Sequence, residues 1–370
     1  MATAPDQMTR RLDRYANALR DQGTITSNTV QEAFATIERH KCVTGFYYRG
    51  EHYDVPQDAT PGEDVLDIIY SDASLMTIMP SDRSMPASSS SAPTIMGPMI
   101  EALDLTPGMR VLEIGAGTGY NAALIATITG AEVVTIEAGS AAAAGAAASI
   151  SRLGMGDLVR VVHTDGYDGP GTEPGGFDRI IVTVGIAGVP PAWLDQLAEG
   201  GFVLAPTAHG GMHPTMELHH DRSVRPRLWS DFMTAVGPLR PAEVIGREPG
   251  ATLPGTPGSI PNVLAPLETD AYNDCWFHLA AHDPRTTRAY LEGTDPWGGM
   301  CAIVADDTRA AWLRTNGSVM HTDPALGAKL AHLVRGWDDA GRPPLTQWSG
   351  TLTQAEYAPR PLLIPSAWSI

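Results

Sequence analysis

Three glycines at alternate positions, Gly115, Gly117 and Gly119, interrupt the short apolar run Val111-Leu112-Glu113-Ile114 and lead into a helical pattern from Asn121 to Thr129. Glycines in such a turn allow positive φ and let a ligand approach the backbone where a Cβ would block it. The helix behind them offers unpaired N–H donors. The spacing G-x-G-x-G, with Glu113 two residues upstream, departs from the dinucleotide fingerprint G-x-G-x-x-G. It suits a ligand that brings an ammonium and a carboxylate to the loop instead of a pyrophosphate. Glu137 ends the next apolar run, 22 residues after Gly115. An acid there can accept both hydroxyls of a ribose and repels a 2′-phosphate. Asp165-Gly166 follows a third run, where a carboxylate and adjacent backbone could grip an adenine; the same dipeptide is also an excellent plain turn.

Other clusters carry less. His209-Gly210-Gly211-Met212-His213 has the spacing of helical metal ligands, but its two glycines make it a loop, and no metal is expected. His219 and His220 sit in a strand-like segment as surface residues, and Asp306-Asp307 and Asp338-Asp339 read as solvated positions at helix ends. Cys42, Cys275 and Cys301 lie far apart and form no C-x-x-C pair, so neither a disulfide framework nor a zinc site is expected; reduced thiols in a cytoplasmic chain are the default.

The chain must position these residues with 370 residues, 43% of them hydrophobic and 18% charged, enough for a sizeable core. Its formal charge, 25 − 42 = −17, argues against nucleic acid or an anionic membrane as partner, since both require a basic face. The N-terminus has arginines but no apolar stretch of signal-peptide type, and no run is long enough to span a membrane.

Periodicity predicts amphipathic helices over 6–22 and from Thr29, where Thr29 and Glu32 have capping-box spacing, to about His40. Residues 41–87 read as irregular, with a strand possible over Val65–Tyr70. A helix is expected over Thr94–Leu103. The middle of the chain alternates strands (110–114, 132–136, 159–163, 179–183, 201–206) with helices (119–129, 140–153, 191–197), the pattern of a parallel sheet with covering helices. Met216–His220 and Phe232–Val236 read as an antiparallel pair that closes it. Residues 250–266 read as a Pro/Gly-rich linker or wrapped arm. The remainder holds six of the eight tryptophans; it is too apolar for a disordered tail, with helices expected over Thr308–Arg314, capped by Asp307, and Pro324–Asp339. This divides the chain into an N-terminal helical and lid segment (1–87), an α/β Rossmann-like core (88–240) and a C-terminal α+β extension (241–370).

The glycine loop with its preceding acid resembles the S-adenosylmethionine loop of Rossmann-like methyltransferases. Taken with Ser91-Ala92-Pro93, the stretch from Leu105 to Ala123, His163-Thr164-Asp165-Gly166, Phe177 to Thr183 and Val189-Pro190-Pro191, the chain resembles the protein-L-isoaspartate O-methyltransferase family over roughly residues 24–240. That resemblance implies S-adenosylmethionine as cofactor, S-adenosylhomocysteine as product, and contacts from Glu113, Gly115, Ala116, Gly117, Gly119, Tyr120, Asn121, Glu137, Asp165, Gly166 and Thr183. It puts Ser91 at the family's active-site serine, with Ser90 and Ser89 as neighbouring catalytic hydroxyls, and Ser88, Pro93 and Val184 against the substrate.

Two departures bear on the substrate. Four consecutive serines replace the family's more usual single serine, and the segment past Arg240 has no counterpart in the compact repair enzymes. The longer architecture resembles the aspartate O-methyltransferases associated with ribosomally made modified peptides such as lanthipeptides and graspetides. It implies as partner a pre-cyclised precursor peptide, whose chosen aspartate becomes aspartimide or isoaspartate. The rival reading is isoaspartate repair in damaged protein. The chemistry needs little from the enzyme: an aspartate, with a reference pKa near ~3.9, is already an anion at neutral pH. Alignment and exclusion of water remain to be supplied. A non-catalytic binding protein is the reading from another class, and retention of Ser91 and the full loop counts against it.

Overall fold

The computed structural model describes residues 4–79, 87–171, 175–245, 247–356 and 358–370. Residues 80–86, part of the stretch read as irregular, lie outside them. The chain packs as two compact units, the first built from residues 1–184, 190–205 and 233–238, the second from 185–189, 206–232 and 239–370.

In the first unit five strands run parallel in the order Leu197–Pro206, Phe177–Val182, Val111–Ile114, Val133–Glu137, Val159–His163. Val111–Ile114 lies at the centre and is buried at every position, the signature of a strand covered on both faces. Helices Tyr120–Thr129 and Ser140–Leu153 follow their strands as the alternation predicts. The N-terminal helix spans Ala4–Asp21, and Pro93–Ala102 lies within a residue of its expected bounds.

The N-terminal region differs from the sequence reading in three places. The second helix covers Asn28–Thr36 and is capped by Ser27, whose Oγ accepts from Val30 N, so Thr29 does not start a capping box. Val65–Tyr70 is not a strand. Glu63–Ile69 is a helix with two acids in its first turn and buries Leu66 and Ile69, three residues apart, on one face. The stretch read as irregular also holds a four-stranded antiparallel sheet, in the order Glu51–Asp54, Gly45–Tyr48, Leu75–Ile78, Ser88–Ser90. The serine run is thus an edge strand. Serine has weak strand propensity, which is why pattern alone missed it.

The second unit contains an antiparallel set in the order Leu363–Ser369, Ser349–Gln354, Ser223–Leu228, Thr215–His219. The partner of Thr215–His219 is therefore Ser223–Leu228, not Phe232–Val236: Asp221 caps the turn through Ser223 N, and the pairing follows at once. A six-stranded sheet runs Ala251–Leu253, Thr286–Leu291, Cys301–Val304, Ala310–Leu313, Val319–His321, Gly258–Ile260. Two of these strands come from the segment read as a linker. Residues 308–314 are no helix: Ala310–Leu313 is a fully buried strand, and Asp306, not Asp307, braces the preceding turn by accepting from Thr308 N and Arg309 N. Helices Thr269–His282 and Pro324–Asp339 pack on this sheet; Trp276 and Trp337 sit in the core they enclose. Among the described residues no helix is long and apolar enough to cross a membrane.

Candidate active site

The central strand delivers the glycine loop. Gly115 N and Ala116 N both donate to Ile136 O, at 2.8 and 3.0 Å, which fixes the start of the turn over the neighbouring strand. Gly115 has φ 103°, and a Cβ there would sit 2.5 Å from Thr183 Oγ1, whose hydroxyl donates to Gly115 O at 2.6 Å. Gly117 has φ 53°, and its missing Cβ leaves room for Ser89 O, 2.9 Å from where that carbon would be. Gly119 begins the helix Tyr120–Thr129. Ala116, Tyr120 and Asn121 are buried behind the loop.

Two acids brace it from different sides. Glu113 is fully buried, accepting from Asn121 Nδ2 at 2.7 Å and Thr135 Oγ1 at 2.6 Å. Burial pushes its carboxyl up to about 7, against the opposing pull of those two donors. Both of its oxygens are taken by protein donors, so this acid ties strand to helix beneath the loop. Glu137 is half-buried at its strand end; Oε2 accepts from Gly117 N at 3.1 Å and Oε1 from Gly139 N at 3.0 Å. Each oxygen keeps acceptor capacity for a diol. Asp165 is exposed and accepts from Tyr167 N at 2.9 Å, while Gly166 O accepts from Trp193 Nε1 at 2.9 Å. A backbone cradle that a Cβ would fill, with carboxylates at the ends of successive strands, fits an adenosine-bearing ligand.

The serines alternate as an edge strand must. Ser88 and Ser90 are buried, Ser89 and Ser91 half-buried. Ser88 Oγ is closed off without a partner, and Ser90 Oγ accepts from Arg39 Nε at 3.2 Å. The hydroxyls left for a ligand are therefore those of Ser89 and Ser91. Pro93 is buried at the start of its helix, and Val184 is half-buried just beyond the Phe177–Val182 strand.

Sequence reasoning missed Arg39. It is fully buried, and its guanidinium donates to the carbonyls of Ile69, Ala73, Ser90 and Ser91 at 2.8, 2.8, 3.1 and 2.9 Å, and to Ser71 O at 3.4 Å. It also stands 5.7 Å from the centre of the Tyr120 ring, within cation–π range. One side chain thus pins the serine strand from below. Placed among Glu38, His40 and Lys41, it has no local signal to distinguish it from a surface charge. The two loop histidines part company: His209 Nε2 bonds Phe277 O at 3.1 Å, while His213 Nδ1 bonds Asp231 Oδ1 at 2.8 Å. Among the described residues no group of three His, Cys, Asp or Glu is placed to hold a metal ion.

A model of the family described as "Protein-L-isoaspartate(D-aspartate) O-methyltransferase (PCMT)" matches residues 11–225. A protein-L-isoaspartate O-methyltransferase of Thermococcus sibiricus is 35% identical over 210 residues, 56% of this chain and 82% of its own length. One from Methanopyrus kandleri is 33% identical over 228 residues, 60% of this chain and 89% of that one. One from Thermotoga maritima is 36% identical over 183 residues, 49% of this chain and 50% of that one. A solved structure titled as a protein-L-isoaspartate O-methyltransferase aligns with TM-score 0.54 and 24% identity over 96% of this chain and 99% of its own. At that identity the likeness speaks for the fold alone. It spans the C-terminal sheet as well, so the segment past Arg240 does have a counterpart in fold.

Proposed function

Since this chain belongs to the protein-L-isoaspartate(D-aspartate) O-methyltransferase family, we propose that it is an S-adenosylmethionine-dependent carboxyl O-methyltransferase whose acceptor is an aspartate side chain of a ribosomal precursor peptide. The observation that carries the reading is the approach of Ser89 O to Gly117, which brings the serine strand against the cofactor loop. S-adenosylmethionine, when bound there, supplies an electrophilic methyl group. Gly115–Gly119 cradle it with backbone, Glu137 accepts its ribose hydroxyls and Asp165-Gly166 flank its adenine. Glu113 works from beneath, by holding Asn121 and Thr135. Ser91, with Ser89 beside it, orients the acceptor carboxylate in line, and no general base is required because that carboxylate is already an anion. Ser90 serves the same end through Arg39, as part of the strand's anchor.

The precursor-peptide reading draws support from the residues beyond the family match. The Thermococcus sibiricus relative aligns with only 56% of this chain, so a large part of it lies beyond that match. Isoaspartate repair is favoured by a different observation, the likeness to relatives named protein-L-isoaspartate O-methyltransferase at 35% and 33% identity. The deciding experiment offers the enzyme two substrates, a pre-cyclised precursor peptide and a generic isoaspartyl peptide. Mass spectrometry should find the precursor converted with net loss of one water and the generic peptide a poor substrate. Robust methylation of the generic peptide, with no preference for the precursor, would establish repair instead.

A further inference from the structure

The second unit holds a cavity of about 420 Å³ within its own fold. His278 and His282 of the helix Thr269–His282, His332 and Leu333 of the helix Pro324–Asp339, and Trp348 and Trp368 beyond them form its wall. Small-ligand sites run from ~300 to ~1,000 Å³ and are mostly apolar with a few polar groups. Two residues of this wall carry a buried polar atom with no partner among the described residues: Nε1 of Trp348, which is 4% exposed, and Nδ1 of His278, which is 6% exposed. Orphans of this kind are costly and uncommon in native folds, and each calls for a partner. The two are of opposite character. An indole nitrogen only donates. The His278 ring hydrogen-bonds the backbone of Leu333, and with Nδ1 unpartnered that bond falls to Nε2, which assigns the proton there and leaves a lone pair on Nδ1. Burial keeps this ring neutral, holding its pKa down at about 4. His282 stands against both residues, its ring centre 4.1 Å from that of His278 and 5.7 Å from that of Trp348. It is exposed, and its Nδ1 donates to His278 O at 2.8 Å. Ala367, just before Trp368, has φ 51°, a strained conformation of the kind that gathers at ligand sites.

We propose that this cavity binds a peptide segment by its backbone, with an apolar side chain laid against Leu333 and Trp368. A peptide offers a carbonyl and an N–H within one residue, and these satisfy both orphans together: the carbonyl accepts from Trp348 Nε1, and the N–H donates to His278 Nδ1. A carboxylate would satisfy the indole but set its own lone pairs against Nδ1, and an ammonium would do the reverse. His282 turns outward to admit the segment, giving up its bond to a carbonyl of its own helix. Binding here is independent of the substrate that the first unit methylates.

The test titrates the full chain with N-acetyl-leucine N-methylamide and reads affinity by ligand-detected NMR. Two further probes share the isobutyl group: an analogue methylated at both nitrogens, which keeps the carbonyls and has no N–H, and isocaproate, which has a carboxylate and no amide. The N-methylamide should bind saturably and about tenfold more tightly than either, the scale of one hydrogen bond. Trp348→Phe, which removes the indole donor and keeps an aromatic wall, should weaken it by about the same factor. His282→Ala, which uncovers both orphans, should bind it at least as tightly as the wild type. If Trp348→Phe does not fold, the three probes on the wild-type protein carry the test alone. No saturable binding by the wild type, equal binding of either comparison probe, or wild-type affinity in folded Trp348→Phe overturns the assignment; weaker binding by folded His282→Ala overturns the part given to His282. Since no outcome requires methyl transfer, the result stands apart from the reading of the first unit.

Discussion

Replacing Arg39 by methionine keeps most of the volume and removes all the hydrogen bonds that its guanidinium donates beneath the serine strand. Five backbone carbonyls lose their partner; those of Ile69, Ala73 and Ser90 are in buried contacts, while those of Ser71 and Ser91 are partly open to water. A buried acceptor left unmade costs about 1–3 kcal/mol. Three of them, offset by the relief of no longer burying a cation, put the loss at about 3–5 kcal/mol. Against a total stability of about 5–15 kcal/mol this is large. Urea unfolding of both proteins measures it. Methyl-transfer kinetics on the folded fraction should show the peptide KM rising more than the S-adenosylmethionine KM, since the serines move and the glycine loop does not. Arg39→Lys restores a charge but not the fork, and should fall between the two. A methionine variant within about 1 kcal/mol of wild type, methylating at the wild-type rate, would refute the claim that this guanidinium holds the acceptor strand.

Glu137→Ala should weaken S-adenosylmethionine binding by roughly 1–3 kcal/mol, because ligand bonds and the brace on Gly117 N go together; calorimetric titration reads it, and unchanged affinity would mean the ribose is held elsewhere. Ser91→Ala should leave cofactor affinity nearly intact while slowing methyl transfer, and a wild-type rate alongside a dead Ser89→Ala would move the catalytic register by two residues. Glu113, raised from 4.5 to about 7, holds its proton more tightly folded than unfolded. Its contribution to stability is therefore greatest below pH 4.5 and declines as pH rises toward 7, at up to about 1.4 kcal/mol per pH unit across that window. Glu113→Gln should flatten this part of a stability-versus-pH curve, and a curve identical to wild type would show that the carboxyl titrates normally.

The parallel core could be read from the chain because its signals are local. Buried runs such as Val111–Ile114 and glycines that force positive φ announce themselves within a few residues. The loop, Glu137 and Asp165 followed from that frame by spacing alone. What escaped notice depends on partners distant in sequence. The serine strand forms because Leu75–Ile78 pairs with it, Arg39 is interior because carbonyls from two later segments converge on it, and Asp231 finds His213 across a hairpin. The strand at Ala310–Leu313 looked helical because alanines favour a helix in isolation, and burial in a sheet overrode that preference.

The second unit is stitched from three separated stretches of chain, and this sets the timetable of its making. On the ribosome, residues 185–189 and 206–232 emerge long before the segments that complete them. Val189 must wait for Leu363, and Ser223-Val224 for Gly350-Thr351. Until then the hairpin of Thr215–His219 and Ser223–Leu228 presents an unpaired edge, the feature most prone to join the wrong strand. Translation therefore leaves a window in which the molecule depends on chaperoning or speed. A chain released before residue 349 would carry that open edge permanently, so a cut near Arg240 yields a sticky fragment instead of a minimal enzyme.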